Sequence, residues 1–206
     1  MRLERLEATQ KSDKIRAVFD GDTLTVSAPL CVQFSLCAGM ELDEAEMAAL
    51  KAAVAKEAAR ERAVRILTAS GLSKKELQKR LVQKGEREED AEAAVSWLEE
   101  LHLIDDLETA KQLVRSANLR GYGRARAKSI LYEKGIPKEL WDEALSEFGE
   151  TDGAIDAFLR KKLSGRTLDQ KTINQAVDAL IRRGNSYHDI QEGLRRLEAD
   201  CEHMDT

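Results

Sequence analysis

From residue 43 to the end of the chain, apolar positions recur with helical spacing, and three stretches repeat one pattern. Leu81 and Gly85, Leu131 and Gly135, and Leu180 and Gly184 stand 50 and 49 residues apart, and Lys84, Lys134 and Arg183 precede the glycines. Twelve residues before each glycine stand Ser73, Gly123 and Thr172, all residue types that suit a helix N-cap. Glu76 and Gln175 complete a capping-box spacing after Ser73 and Thr172. Each glycine falls where the end of a helix calls for positive φ. Beyond it, Ala91, Val95 and Leu98 form an i, i+4, i+7 stripe, matched by Trp141, Leu145 and Phe148 and by Ile190, Leu194 and Leu197. The pattern predicts helices over 56–69, 73–84 and 88–102, then 106–119, 123–134 and 137–148, then 151–163, 172–183 and 186–199. A period of about 50 residues fits stacked modules that share buried faces, giving an elongated, curved molecule with a long concave surface.

Residues 1–42 differ. Ile15–Phe19 and Leu24–Val26 alternate like strands around Asp20-Gly21-Asp22, a hairpin signal, and residues 3–9 supply a third strand. Such a meander is marginal alone and is expected to pack on the helices behind it. Asp43 and Glu46 again have capping-box spacing, and no Gly or Pro interrupts 43–69, which reads as one long helix or as two with a break near 55. The expected fold is mainly α: three tandem three-helix modules with a small N-terminal antiparallel β meander. The divisions are a β extension (1–42), a linker helix with module one (43–104), module two (105–149), and module three with a C-terminal tail (150–206).

Charge changes this picture locally. The whole chain is acidic, at −5, which argues against a globally basic nucleic-acid binder. Residues 86–108, however, carry ten acids and one base, and residues 109–140 carry eight bases and two acids. The second segment gives a candidate binding face: Arg115, Arg120, Arg124, Arg126, Lys128 and Lys134, with Tyr122 among them able to stack on a base or pack at an interface. Lys79, Arg80 and Lys84 extend it onto the middle helix of module one. The competing reading is a solvated surface laced with intramodule salt bridges.

Catalytic chemistry finds little support. Asp105-Asp106 could be read as paired carboxylates, but Asp106 is expected to cap helix 106–119, with Asp105 accepting bonds from the turn. His102 adds one possible ligand, whereas a metal site needs three or four. Gly121-Tyr122-Gly123 lacks the Lys-Ser/Thr ending of a phosphate loop. Three cysteines (Cys31, Cys37, Cys201) without a framework spacing read as free thiols, and His188 and His203 have no evident nucleophile partner. Trp97 and Trp141 read as packing residues. No enzyme, metal or cofactor is expected, and a soluble, cytoplasmic monomer with no membrane span is.

Module two carries the most recognisable run: Leu103-Ile104-Asp105-Asp106-Leu107-Glu108-Thr109-Ala110, then Arg115, Arg120-Gly121-Tyr122-Gly123, Leu131 and Lys134-Gly135-Ile136. It resembles the RecX family of recombination regulators. Phe19 to Val26 and Gly39-Met40-Glu41-Leu42 are similar to longer members with a β extension. Leu103 and Thr109 depart from the Tyr and Phe usual there. The resemblance implies three three-helix modules that lodge in the groove of a RecA–single-stranded DNA filament. It also implies loss of filament extension, ATP hydrolysis and strand exchange, within recombination, repair and the SOS response. The basic face would then meet the filament, with Asp105, Asp106, Gly85, Gly123, Gly135 and Gly184 as structural positions. The alternative is a helical-repeat regulator that binds single-stranded or duplex DNA directly.

Overall fold

The alternating segments at the N-terminus form a three-stranded antiparallel sheet. The computed structural model describes residues 1–10, 13–69, 71–163 and 169–204, with 69 and 200–204 as backbone only. Strands β1 (Leu3–Ala8), β2 (Lys14–Phe19) and β3 (Asp22–Ser27) lie in that order. Phe19 pairs with Asp22, so Asp20 and Gly21 make the turn, with Gly21 at φ 78°. Leu3, Ala17, Phe19 and Val26 are buried on one side of the sheet. They pack with a helix that the periodicity did not predict, α1 (Ala28–Gln33). The Ser27 hydroxyl accepts the Leu30 N–H, and Pro29 occupies the first turn, where a missing N–H costs nothing.

Helix α2 (Glu44–Ala69) is a single 26-residue element, without a break near 55. Its capping box closes in both directions: Glu46 N–H donates to Asp43 Oδ1 at 2.7 Å, and Asp43 N–H donates to Glu46 Oε2 at 2.9 Å. Met47 and Leu50 complete the core under the sheet, and α2 also packs against α4 (Glu88–Glu100). Between them in sequence runs α3 (Lys74–Gln83).

Module two consists of α5 (Asp106–Leu119), α6 (Arg124–Glu133), a 3-10 turn (Lys138–Leu140) and α7 (Trp141–Ser146). The helix expected over 137–148 is therefore shortened. Module three consists of α8 (Asp152–Leu163), α9 (Gln170–Arg182) and α10 (Tyr187–Met204). Module two closes around Ala110, Val114, Leu131, Ile136 and Leu145, and module three around Ile155, Leu159, Leu180 and Ile190. The family departures sit outside this: Leu103 is exposed and Thr109 half-buried.

The three glycine turns are one motif. Gly85, Gly135 and Gly184 have φ of 95°, 69° and 83°. In each, the glycine N–H reaches the carbonyl three residues back, and the next N–H reaches the buried leucine's carbonyl, Leu81, Leu131 or Leu180. That pair of bonds is the Schellman ending, and it satisfies carbonyls that a helix end otherwise leaves open.

Two capping expectations are corrected. Asp105, not Asp106, caps α5: its carboxylate accepts the Leu107 N–H at 2.7 Å and the Glu108 N–H at 3.2 Å. Asp169, not Thr172, caps α9, accepting the Thr172 N–H at 2.8 Å. In both cases the helix begins early enough that the carboxylate one place before it reaches the unpaired amides.

By contacts the chain forms two units, Met1–Ser70 with Leu77–Leu103, and Gly71–Glu76 with Ile104–Thr206. Cys31 is buried and Cys37 exposed, both as free thiols; the side chains of Cys201 and His203 lie outside the described residues.

Candidate interaction face and the joints behind it

In the first unit, Lys79, Arg80 and Lys84 are exposed on α3 and the residue after it. The Lys79 and Lys84 ammonium groups have no partner among the described residues. The Lys84 carbonyl accepts from Arg62 at 2.8 Å, and Arg62 also pairs with Glu86 at 2.7 Å, so this glycine turn is closed by a side chain.

In the second unit the predicted bases divide. Arg115 bridges Glu108 at 2.8 Å and Glu147 at 2.7 Å. The hydrogen bond from Arg115 holds the Glu108 carboxyl below its ordinary pKa, and the same bond raises that of Arg115. Arg126 pairs with Glu133 at 2.8 Å, Lys134 with Glu76 at 2.8 Å, and Arg124 donates to the Leu145 carbonyl at 3.2 Å. Arg120 and Lys128 are exposed and have no partner among the described residues. The basic segment is thus partly neutralised within the unit, and Arg120 and Lys128 present whole charges outward.

Tyr122 belongs to a joint. It is half-buried against the core of module two, and the Arg183 guanidinium lies 5.9 Å from its ring centre and 4.8 Å from that of Phe158. That geometry is a cation–π contact shared between modules two and three. Beside it, Gly123 N–H donates to the Arg183 carbonyl at 2.9 Å and Ala125 N–H to the Gly184 carbonyl at 3.3 Å. The amide end of α6 therefore meets the carbonyl end of α9, so each satisfies groups the other leaves open and the positive end of one helix dipole faces the negative end of the other. A Cβ on Gly123 would lie 2.0 Å from the Gly184 oxygen, and one on Gly184 would lie 2.3 Å from the Arg126 nitrogen. Both glycines are required by this close approach.

The amide end of α3 meets the Lys134–Gly135 turn in the same manner, with different chemistry. The Ser73 hydroxyl accepts the Glu76 N–H and donates to the Lys134 carbonyl. Asp106, buried, accepts the Lys74 N–H at 2.9 Å. The aspartate pair is thereby spent on two helix starts, Asp105 on α5 and Asp106 on α3. Among the described residues no cluster of three His, Cys, Asp or Glu could hold a metal, and no helix is long and apolar enough to cross a membrane.

Sequence reasoning missed the part played by Arg183. Its register equivalence to Lys84 and Lys134 was the available signal, since all three precede the turn glycine.

Two stretches of the chain match models of one protein family. Residues 59–98 match the family model described as RecX, first three-helix domain, and residues 105–145 match RecX, second three-helix domain. The regulatory protein RecX of Vibrio parahaemolyticus is 30% identical over 143 residues, covering 68% of this chain and 92% of that one. The protein of the same name from Clostridioides difficile is 27% identical over 202 residues, 95% of each chain. A crystal structure of regulatory protein RecX shares the fold, with a TM-score of 0.73 at 24% identity over 93% of this chain and 98% of that one.

Proposed function

We propose that this chain, which belongs to the RecX family, binds a RecA–single-stranded DNA filament and restrains it, slowing ATP hydrolysis, filament extension and strand exchange. It does so without catalysis, as a cytoplasmic monomer lodged in the filament groove. The observation that supports this reading most directly is the set of unpaired, exposed bases carried on successive modules: Lys79 and Lys84 on module one, Arg120 and Lys128 on module two. A ligand that contacts one filament conformation better than another shifts the filament toward it by that difference in affinity, so binding alone suffices to stall turnover. Exposed bases also make the encounter faster and salt-dependent.

The test is steady-state ATP hydrolysis by the cognate RecA filament, titrated with the full chain at substoichiometric amounts. Hydrolysis is expected to fall steeply, and Arg120→Glu with Lys128→Glu is expected to weaken the effect on the order of ten-fold while helicity is unchanged, because neither side chain holds the fold together. Undiminished hydrolysis beside a folded chain would overturn the reading. Tight binding to naked duplex in that case would favour direct action on DNA.

A further inference from the structure

The middle helices α3, α6 and α9 share one register, counted back from the turn glycine. Four residues before it, Leu81, Leu131 and Leu180 are buried, and eight before it, so are Leu77, Ala127 and Ala176. Six residues before it, Lys79, Ser129 and Asp178 are exposed and polar; two before it, Gln83, Glu133 and Arg182 are too. One exposed position breaks that rule in every copy. Three residues before the glycine stand Val82, Tyr132 and Ile181, at 43%, 71% and 47% exposure.

A single exposed apolar side chain is ordinary and calls for no explanation. The same position staying apolar in three copies that diverge at their other exposed positions is different. The cores do not account for it, since each copy already buries its own leucine one residue earlier. Each of the three also has bases close in sequence: Lys79 and Lys84 near Val82, Lys128 one helical turn before Tyr132, and Arg182 next to Ile181.

We infer that Val82, Tyr132 and Ile181 are anchor residues for a protein partner, each entering an apolar pocket bordered by carboxylates, and that the partner offers this pocket repeatedly. A nucleic acid fits less well. Tyr132 could stack on a base, but Val82 and Ile181 have no π face, and an aliphatic side chain gains most by filling an apolar cavity. The flanking bases call for acidic pocket rims. An anchor repeated once per module calls for a partner that itself repeats, which is the property of a protein filament. The inference rests on the filament reading above and names the residues that would make its contacts.

The experiment is equilibrium binding of the full chain to RecA filaments on labelled single-stranded DNA, with Tyr132→Ser, Ile181→Ser, the double variant, Tyr132→Phe, and Ala125→Ser as an exposed control. Tyr132→Ser is expected to weaken binding on the order of ten-fold and the double variant further, while Tyr132→Phe and Ala125→Ser stay near wild type. Helicity and the thermal midpoint should not move, as the replaced side chains are exposed. Wild-type binding with less than about a two-fold loss in the double variant would overturn the inference and leave the filament reading intact. Absence of wild-type binding would overturn the filament reading itself, and the anchors with it. Sedimentation of the chain alone completes the set: self-association abolished by Tyr132→Ser would assign the anchor to a second copy instead and likewise overturn the inference.

Discussion

The two joints of the second unit perform one task with unlike chemistry. Where α3 meets the Lys134–Gly135 turn, side chains do the work: Ser73 bonds the Lys134 carbonyl, Asp106 holds the Lys74 amide, and Glu76 pairs with Lys134. Where α6 meets the Arg183–Gly184 turn, backbone meets backbone through Gly123 and Ala125. A side-chain joint keeps the two backbones a side chain apart and tolerates some exchange of its parts. A backbone joint needs direct approach, so it allows no Cβ on either glycine, with Arg183, over Tyr122 and Phe158, as a side-chain key.

Gly184→Ala should strike hardest. It forces a Cβ into the positive-φ region, costing about 1–2 kcal/mol, and presses it against the Arg126 backbone, an overpacking worth about 1–3 kcal/mol more. Hydrogen exchange of the full chain should show amides of α6 and α9 losing protection together. Gly123→Ala keeps an ordinary φ and should lose only the second amount. If both were neutral, the close backbone approach would not require glycine at either position.

The side-chain joint should yield smaller and graded effects. Asp106→Ala leaves the Lys74 amide unpaired, for about 1.5–3 kcal/mol, and Ser73→Ala removes a cap and one bond, for about 1–2 kcal/mol. Urea unfolding monitored at Trp141 in the second unit reads both. An Asp106→Ala loss smaller than that of Ser73→Ala would reverse the ranking of charged over neutral acceptors.

The smallest expected effect is on pH, at the start of α9, where Asp169 caps the helix. Its hydrogen bond with Thr172, side chain first and backbone second, holds its pKa below the ordinary aspartate value of 3.8. A depressed carboxyl stabilises the folded state fully above the unfolded pKa, and that contribution is lost as pH falls through the lower folded value. Acid titration of α9 amide protection should therefore show a loss below the ordinary aspartate value, and Asp169→Asn should flatten it. An unchanged acid limb in Asp169→Asn would remove Asp169 as its source.

Local periodicity makes the modules legible in the sequence. The i, i+4, i+7 stripes and the glycine turns are written within a dozen residues each, and the backbone follows them because helix and turn preferences are short-range. The helix expected over 137–148 is a 3-10 turn and the shorter α7, and a shift of one to three residues escaped at the caps: Asp105 and Asp169 stand where Asp106 and Thr172 were expected, because several oxygen-bearing side chains crowd each helix start and their relative reach depends on where the first turn closes. Helix α1 escaped as well, being too short to show a period.

The candidate face was legible as composition and not as availability. Sequence gave the bases their order, but which of them keep a whole charge depended on acids distant in the chain: Glu147 for Arg115, Glu76 for Lys134. Tyr122 read as a residue to stack on a base or pack at an interface, and it sits half-buried with Arg183, sixty-one residues on, 5.9 Å from its ring centre. Tyr132, one residue after a buried leucine, stands in solvent. By itself, the order of residues determined the helices, their turns and the threefold repeat, since those arise from neighbours along the chain. Pairing, burial and the close approach of two glycines are through-space quantities, and the tertiary structure alone decided them.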